Sequence, residues 1–97
     1  MTNDRNLPRD MDEIYRDLDE LLAGCAGTSL HDQATVGISF CIDERIDTGP
    51  QIIGLMKRAS FNARHIGKTL HDLSGTDPAR HRWQRDEAGH YHHLPSD

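Results

Sequence analysis

His90, His92 and His93 crowd into four positions near the end of a 97-residue chain. Imidazole can ligate a metal, carry a proton or, when charged, touch a phosphate. A zinc site needs ligands that converge on one point, with histidine nitrogens about 2.0–2.1 Å from the ion. On a strand His90 and His92 share a face while His93 points away, and the further donors His81, Cys25 and Cys41 are not fixed around them by any ligand spacing. Solvated histidines, or histidines that meet phosphate when protonated, fit this pattern better than a metal-sensing site. A polyanion would then bind more tightly as pH falls through about 6.5.

Enzymatic chemistry has weaker support, and the expectation is no enzyme and no cofactor. The stretch "GISFCIDERIDTG" has neither the glycine spacing nor the lysine of a phosphate-binding loop. Cys41 sits among apolar neighbours without a local histidine, which favours a packed thiol over a nucleophile. Asp43 and Glu44 are adjacent carboxylates, but neighbours on a helix diverge by about 100°. Both cysteines are read as buried free thiols, consistent with a reducing cytoplasm.

The charge distribution is more informative. The chain has a formal net charge of −5, yet residues 1–56 hold four Lys or Arg against eleven Asp or Glu, while residues 57–97 hold seven against five and six of the seven histidines. Asymmetry of this kind points to a polyanion partner for the basic half. The low mean hydropathy, −0.72, and the short chain predict one domain with a small core. No apolar run approaches the roughly 18 residues of a membrane span, and "MTNDRNLPRD" has no apolar signal-peptide core. A soluble cytoplasmic protein is expected, with residues 1–8 as a flexible arm, 9–94 as a single domain and 95–97 as a tail.

These side chains need a scaffold. In "DMDEIYRDLDELLAGCAG" the apolar residues Met11, Ile14, Tyr15, Leu18, Leu21 and Leu22 recur at steps of three and four, which predicts an amphipathic helix. Asp10, Asp12 and Glu13 fall in its first turn, where the helix dipole favours negative charge. Gly24 or Gly27 can end it. Residues 30–46 carry two patterns: Val36, Ile38, Phe40 and Ile42 alternate as in a strand, while Ala34, Ile38, Cys41, Ile42 and Ile46 form a helical stripe. Length and the charged "DERI" end favour helix.

Pro50 suits the first turn of a helix over 51–58. "ASFN" is a break of about four residues, and Asn62 is a good N-cap for a helix over 63–73, with Phe61 and Ile66 at the two positions of a hydrophobic staple. Ile53, Met56, Phe61, Ala63, Ile66, Leu70 and Leu73 would close on one another if these helices cross. Further on, Asp86-Glu87-Ala88-Gly89 suits a type I turn with a left-handed glycine bulge. That turn sets Arg85 opposite Tyr91 and Trp83 opposite His93, and it places Trp83, Arg85 and Tyr91 on one face. A four-residue loop would separate the two aromatics, so the bulged hairpin is preferred.

The order of helices, helix–turn–helix and hairpin resembles the winged helix-turn-helix superfamily, carried by "FNARHIGKTL" at 61–70 and "WQRDEAGHY" at 83–91. The fold class expected is mainly α with a C-terminal β-hairpin, an α+β winged helix. The resemblance implies a small duplex-DNA-binding protein, a transcriptional regulator, with the helix at 63–73 in the major groove and a wing at 80–94 on the backbone or minor groove. Carried over by position, Asn62, Arg64, His65, Lys68, Thr69 and His71 would face the groove, with Arg82 and Arg85 at the wing and Lys57 and Arg58 near the end of the preceding helix. Arg64 suits bidentate contact with guanine and Lys68 a phosphate. The acidic first helix repels DNA, so a homodimer that doubles the basic face is expected. The alternative is a protein–protein interaction module that uses the acidic helix or a hydrophobic edge to bind a partner, and Leu18, Leu21 and Leu22 could instead make that helix a dimerisation surface.

Overall fold

The computed structural model describes residues 10–94; the expected arm at 1–8, Arg9 of the expected domain and the tail at 95–97 lie outside them. Among these residues four helices precede one hairpin: α1 (Met11–Gly24), α2 (Leu30–Asp43), α3 (Gly49–Arg58), α4 (Ala63–Asp72), β1 (Trp83–Arg85) and β2 (Tyr91–His93). The chain is thus mainly α with a small antiparallel β element.

Each helix start follows from its cap. Asp10 accepts from the amide of Asp12, Ser29 from that of Asp32, and Asn62 from those of Arg64 and His65, which satisfies donors that the helix cannot. In α3, Pro50 takes the first turn, where a missing N–H removes no helical bond.

The helical reading of 30–46 holds, because Ala34, Ile38, Cys41, Ile42 and Ile46 are all buried whereas Val36 and Phe40 are half-buried. The helix itself stops at Asp43. It is central, touching α1, α3, α4 and β2. Gly37 permits close approach of α3, since a Cβ there would lie 2.5 Å from Met56 Cε. In α3 the buried set is Ile52, Leu55 and Met56, wider than the Ile53 and Met56 expected, because this helix packs on both α2 and α4.

Both α2 and α3 end the same way. The amide of Ile46 donates to the carbonyl of Cys41 and that of Arg45 to Ile42; the amide of Phe61 donates to Met56 and that of Ser60 to Lys57. These are Schellman closures, with Arg45 (φ 66°) and Ser60 (φ 76°) at the left-handed position that glycine usually takes. The second closure turns the chain directly into the Asn62 cap, so α3 and α4 are joined by a tight bend.

The hairpin has the expected register, Trp83 opposite His93 and Arg85 opposite Tyr91. Its turn is built by Asp86, whose Oδ1 accepts from the amides of Ala88 and His90, and by Gly89 at φ 90°. Trp83 is buried, Tyr91 half-buried and Arg85 exposed, so the shared face runs from core to solvent. The hairpin is docked on both sides. Arg82 donates its amide to the Leu73 carbonyl at 2.8 Å, and Tyr91 donates its amide to the Asp47 carbonyl at 2.7 Å. Thr48 forms an isolated antiparallel bridge with His90 just before α3 begins.

Candidate nucleic-acid interface

The apolar stripe of α4 decides what its other face presents. Ile66 and Leu70 are buried, which leaves Arg64, Lys68 and His71, at spacings of four and three, exposed on the opposite side. Arg64 forms no ion pair among the described residues, while Lys68 Nζ donates to Asp72 Oδ2 at 2.6 Å. That pair is solvent-exposed on both partners and contributes little, so a competing phosphate can displace it. Lys68 in turn holds the Asp72 carboxyl below its ordinary range, chiefly through the hydrogen bond.

Thr69 is a correction. It is 2 % exposed and its hydroxyl donates to the His65 carbonyl at 2.8 Å, so it faces the core and not a groove. Its position three after Ile66 and four before Leu73 lies within the apolar arc. A threonine can be buried there by returning its hydroxyl to the preceding turn. The spacing alone was enough to find this.

Asn62 is exposed, but its Oδ1 is committed to two backbone amides at 2.8 and 3.2 Å. The cap occupies those amides, so they do not form a phosphate cradle. His65 is half-buried, with its ring centroid 6.5 Å from that of His31 at the start of α2. His31 was not singled out in the sequence; only the packing of α2 on α4 brings it to this edge.

The remaining bases divide. Arg85 is exposed, its guanidinium close to Gly89 in the turn. Arg82 instead lines a cleft of about 320 Å³ with Leu21, Val36, Phe40 and Asp43, over the outer face of α2. Arg58 is occupied elsewhere: it pairs with Asp12 at 2.8 Å and stacks 4.3 Å from the centroid of the Tyr15 ring, fastening α3 to α1. Lys57 stays exposed.

The histidines do not converge. His90 Nδ1 meets Asp47 Oδ1, His92 Nε2 meets Asp86 Oδ2, and His93 Nε2 meets Asp43 Oδ1, each at 2.8 Å. His81 lies before β1 and its Nδ1 accepts from the Asp77 amide. Among the described residues no three His, Cys, Asp or Glu side chains could hold a metal ion. The carboxylate raises the pKa of His90, first by its hydrogen bond and then by its charge. Asp86 is lowered to about 2, mainly by the His92 bond and the His90 amide. Beside these pairs lies a polar cleft of about 450 Å³ lined by Asp43, Arg45, Asp47, Tyr91, His92 and His93.

Both cysteines are free thiols; Cys41 is buried as expected, but Cys25, in the cap after α1, is only half-buried. Burial pushes the Cys41 thiol up to about 12, which suits packing and not nucleophilic attack. No helix among the described residues is long and apolar enough to cross a membrane. No family model, curated protein or solved structure matches this chain.

Proposed function

We propose that this chain is a winged helix-turn-helix protein that binds duplex DNA as a homodimer and regulates transcription. The observation that carries the reading is the outer face of α4, where Arg64, Lys68 and His71 stand exposed opposite the buried Ile66 and Leu70. The topology supports it: the segment just before α3 pairs with the start of the returning hairpin arm through the Thr48–His90 bridge, and the hairpin is the next element after α4. In this reading Arg64 reads a base edge, Lys68 and His71 meet phosphates, and Arg85 at the exposed end of the hairpin meets the flanking backbone. Asn62 and Thr69 act by shaping α4, and Arg82 is set apart on the flank of α2.

Titration of the protein into labelled mixed-sequence duplex DNA at two salt concentrations tests this, beside a folded Arg64→Ala, Lys68→Ala double variant. With three phosphate contacts per protomer, and so about six in the homodimer, affinity should fall on the order of 1,000-fold between 50 and 200 mM salt, and the variant should lose most of it. Absence of binding at low salt, or equal binding by the variant, would sink the assignment of α4.

A second reading has its own observation. Leu21 is exposed beside the acidic Asp19 and Glu20 and borders the cleft with Val36 and Phe40, which suits a protein partner on the α1–α2 side. Binding that ignores Arg64 and Lys68 but fails in Leu21→Glu would favour that module.

A further inference from the structure

The hairpin carries four histidines in or just before it, and three of them face a carboxylate. Two of these pairs are long-range: His93 of β2 meets Asp43, the last residue of α2, and His90 just before β2 meets Asp47 in the connection between α2 and α3. The third, His92 with Asp86, lies inside the hairpin and holds the turn that Asp86 also organises through backbone amides. Beyond these pairs β2 is held by backbone bonds to β1 and by the Tyr91 amide on the Asp47 carbonyl, and it buries little side-chain surface. Its residues His92 and His93 are exposed and only Tyr91 is half-buried, whereas β1 is anchored by the buried Trp83. A strand with few buried contacts opens at low free-energy cost, so charged side-chain pairs decide how firmly it stays closed.

We propose that β2 and the α2–α3 connection form a proton-controlled joint, closed when His90 is charged against Asp47, with the His93–Asp43 hydrogen bond beside it, and loosened when His90 is neutral. Protonation of His90 turns its hydrogen bond to the Asp47 carboxylate into an ion pair, adding the attraction of opposite charges to a bond already made. The polar cleft beside the pairs gives solvent access to both. The upward displacement of His90 has the right sign: a group whose pKa is raised by folding adds stability below its unfolded value and loses it as pH climbs through the folded one.

Other charges face the joint. Arg45 lines the same cleft, Arg82 flanks Asp43 on the other side, and Arg85 packs against Gly89 in the turn. All three arginines stay cationic throughout the neutral range, so they set a constant background. Asp86 also acts on His90 through its charge and stays ionised well below neutrality. His90, raised above its ordinary value, is therefore the group of the joint whose change of charge falls above pH 6.5.

The joint rests on its own geometry, whichever partner the protein has, so it is tested without DNA. Amide hydrogen exchange is measured near pH 6 and pH 8 and normalised for the intrinsic rate at each pH. The reporter is Tyr91, whose N–H is bonded to the Asp47 carbonyl. Protection should be higher at pH 6 than at pH 8, because the Asp47 carboxylate holds the His90 imidazolium only in the closed joint. Asp43→Asn, Asp47→Asn should abolish that difference, and His90→Gln, His93→Gln should show the weaker protection at both pH values. The second variant keeps the test alive if the first fails to fold. Equal wild-type protection at the two pH values, or a pH difference that survives in a folded double variant, would overturn the proposal.

Discussion

The indole Nε1–H of Trp83 donates to the carbonyl of Leu70 at 3.1 Å, in a buried contact that keys the hairpin into the last turn of α4. The bond satisfies both a side-chain donor and a helix-end carbonyl in the interior. Trp83→Phe should lower stability by roughly 1–3 kcal/mol, because it leaves that buried carbonyl without the indole donor. Trp83→Ala should lose about 3–5 kcal/mol, with the cavity added. Urea denaturation followed by circular dichroism checks the order of the two.

Arg45 and Ser60 occupy left-handed positions that a Cβ disfavours by about 1–2 kcal/mol. Glycine relieves that strain, but returns roughly 0.4–1 kcal/mol of freedom to the unfolded chain. The strain term is larger, so Arg45→Gly and Ser60→Gly should each raise stability by roughly 0.5–1 kcal/mol. A midpoint unchanged or lowered in both variants would contradict this account of the two helix ends.

Hairpin stability should be greatest in mildly acidic solution. Asp86 is ordinarily near 3.8 and is lowered to about 2 by the fold, so its contribution is complete above the ordinary value and lost as pH falls toward the lower one. His90 is raised above 6.5, so its contribution is complete below 6.5 and lost as pH rises. Asp86→Asn should flatten the acid limb and only weaken the alkaline limb, because Asp47 contributes more than Asp86 to raising His90; proton NMR titration of the His90 ring reads the second directly.

Thiol labelling should separate the two cysteines. Cys41 is buried and its thiol is pushed up to about 12, while Cys25 is half-buried in the α1 cap. One thiol equivalent per chain should react in native buffer and the other only with denaturant. Two fast equivalents would show that α2 opens locally.

Asn62 is accounted for by its cap. Asn62→Ala should lose about 1 kcal/mol, and Asn62→Asp should retain stability, because aspartate caps as well and its charge suits the helix N-terminus. DNA affinity of the stable Asn62→Asp variant then reports whether phosphate passes near this end: a several-fold loss is expected if α4 enters the groove.

Local patterns made much of the fold legible. The Asn62 cap, Pro50 in the first turn of α3, and the Asp86–Gly89 turn with its register are short-range features, set by hydrogen bonds and backbone preferences within a few residues. The outward placement of Arg64, Lys68 and His71 also follows from one stripe on one helix. Where a pattern was read too coarsely, the structure departs from it, as with Thr69 inside the apolar arc and with Ile52 and Leu55 on a helix that has two neighbours.

Charge pairing was not legible, because its partners are distant in the chain. Nothing near His93 announces Asp43, and nothing near Arg58 announces Asp12 or the Tyr15 ring; their contacts span 50 and 46 positions. The same holds for Arg82, which the hairpin sets over the outer face of α2. The sequence by itself determined which segments are helical, where they begin, how the hairpin turns and which faces are apolar, since each depends on neighbours within about one turn. Only the tertiary structure decided which cations stay free and which carboxylate each histidine meets, because electrostatic pairing depends on distances that packing alone creates.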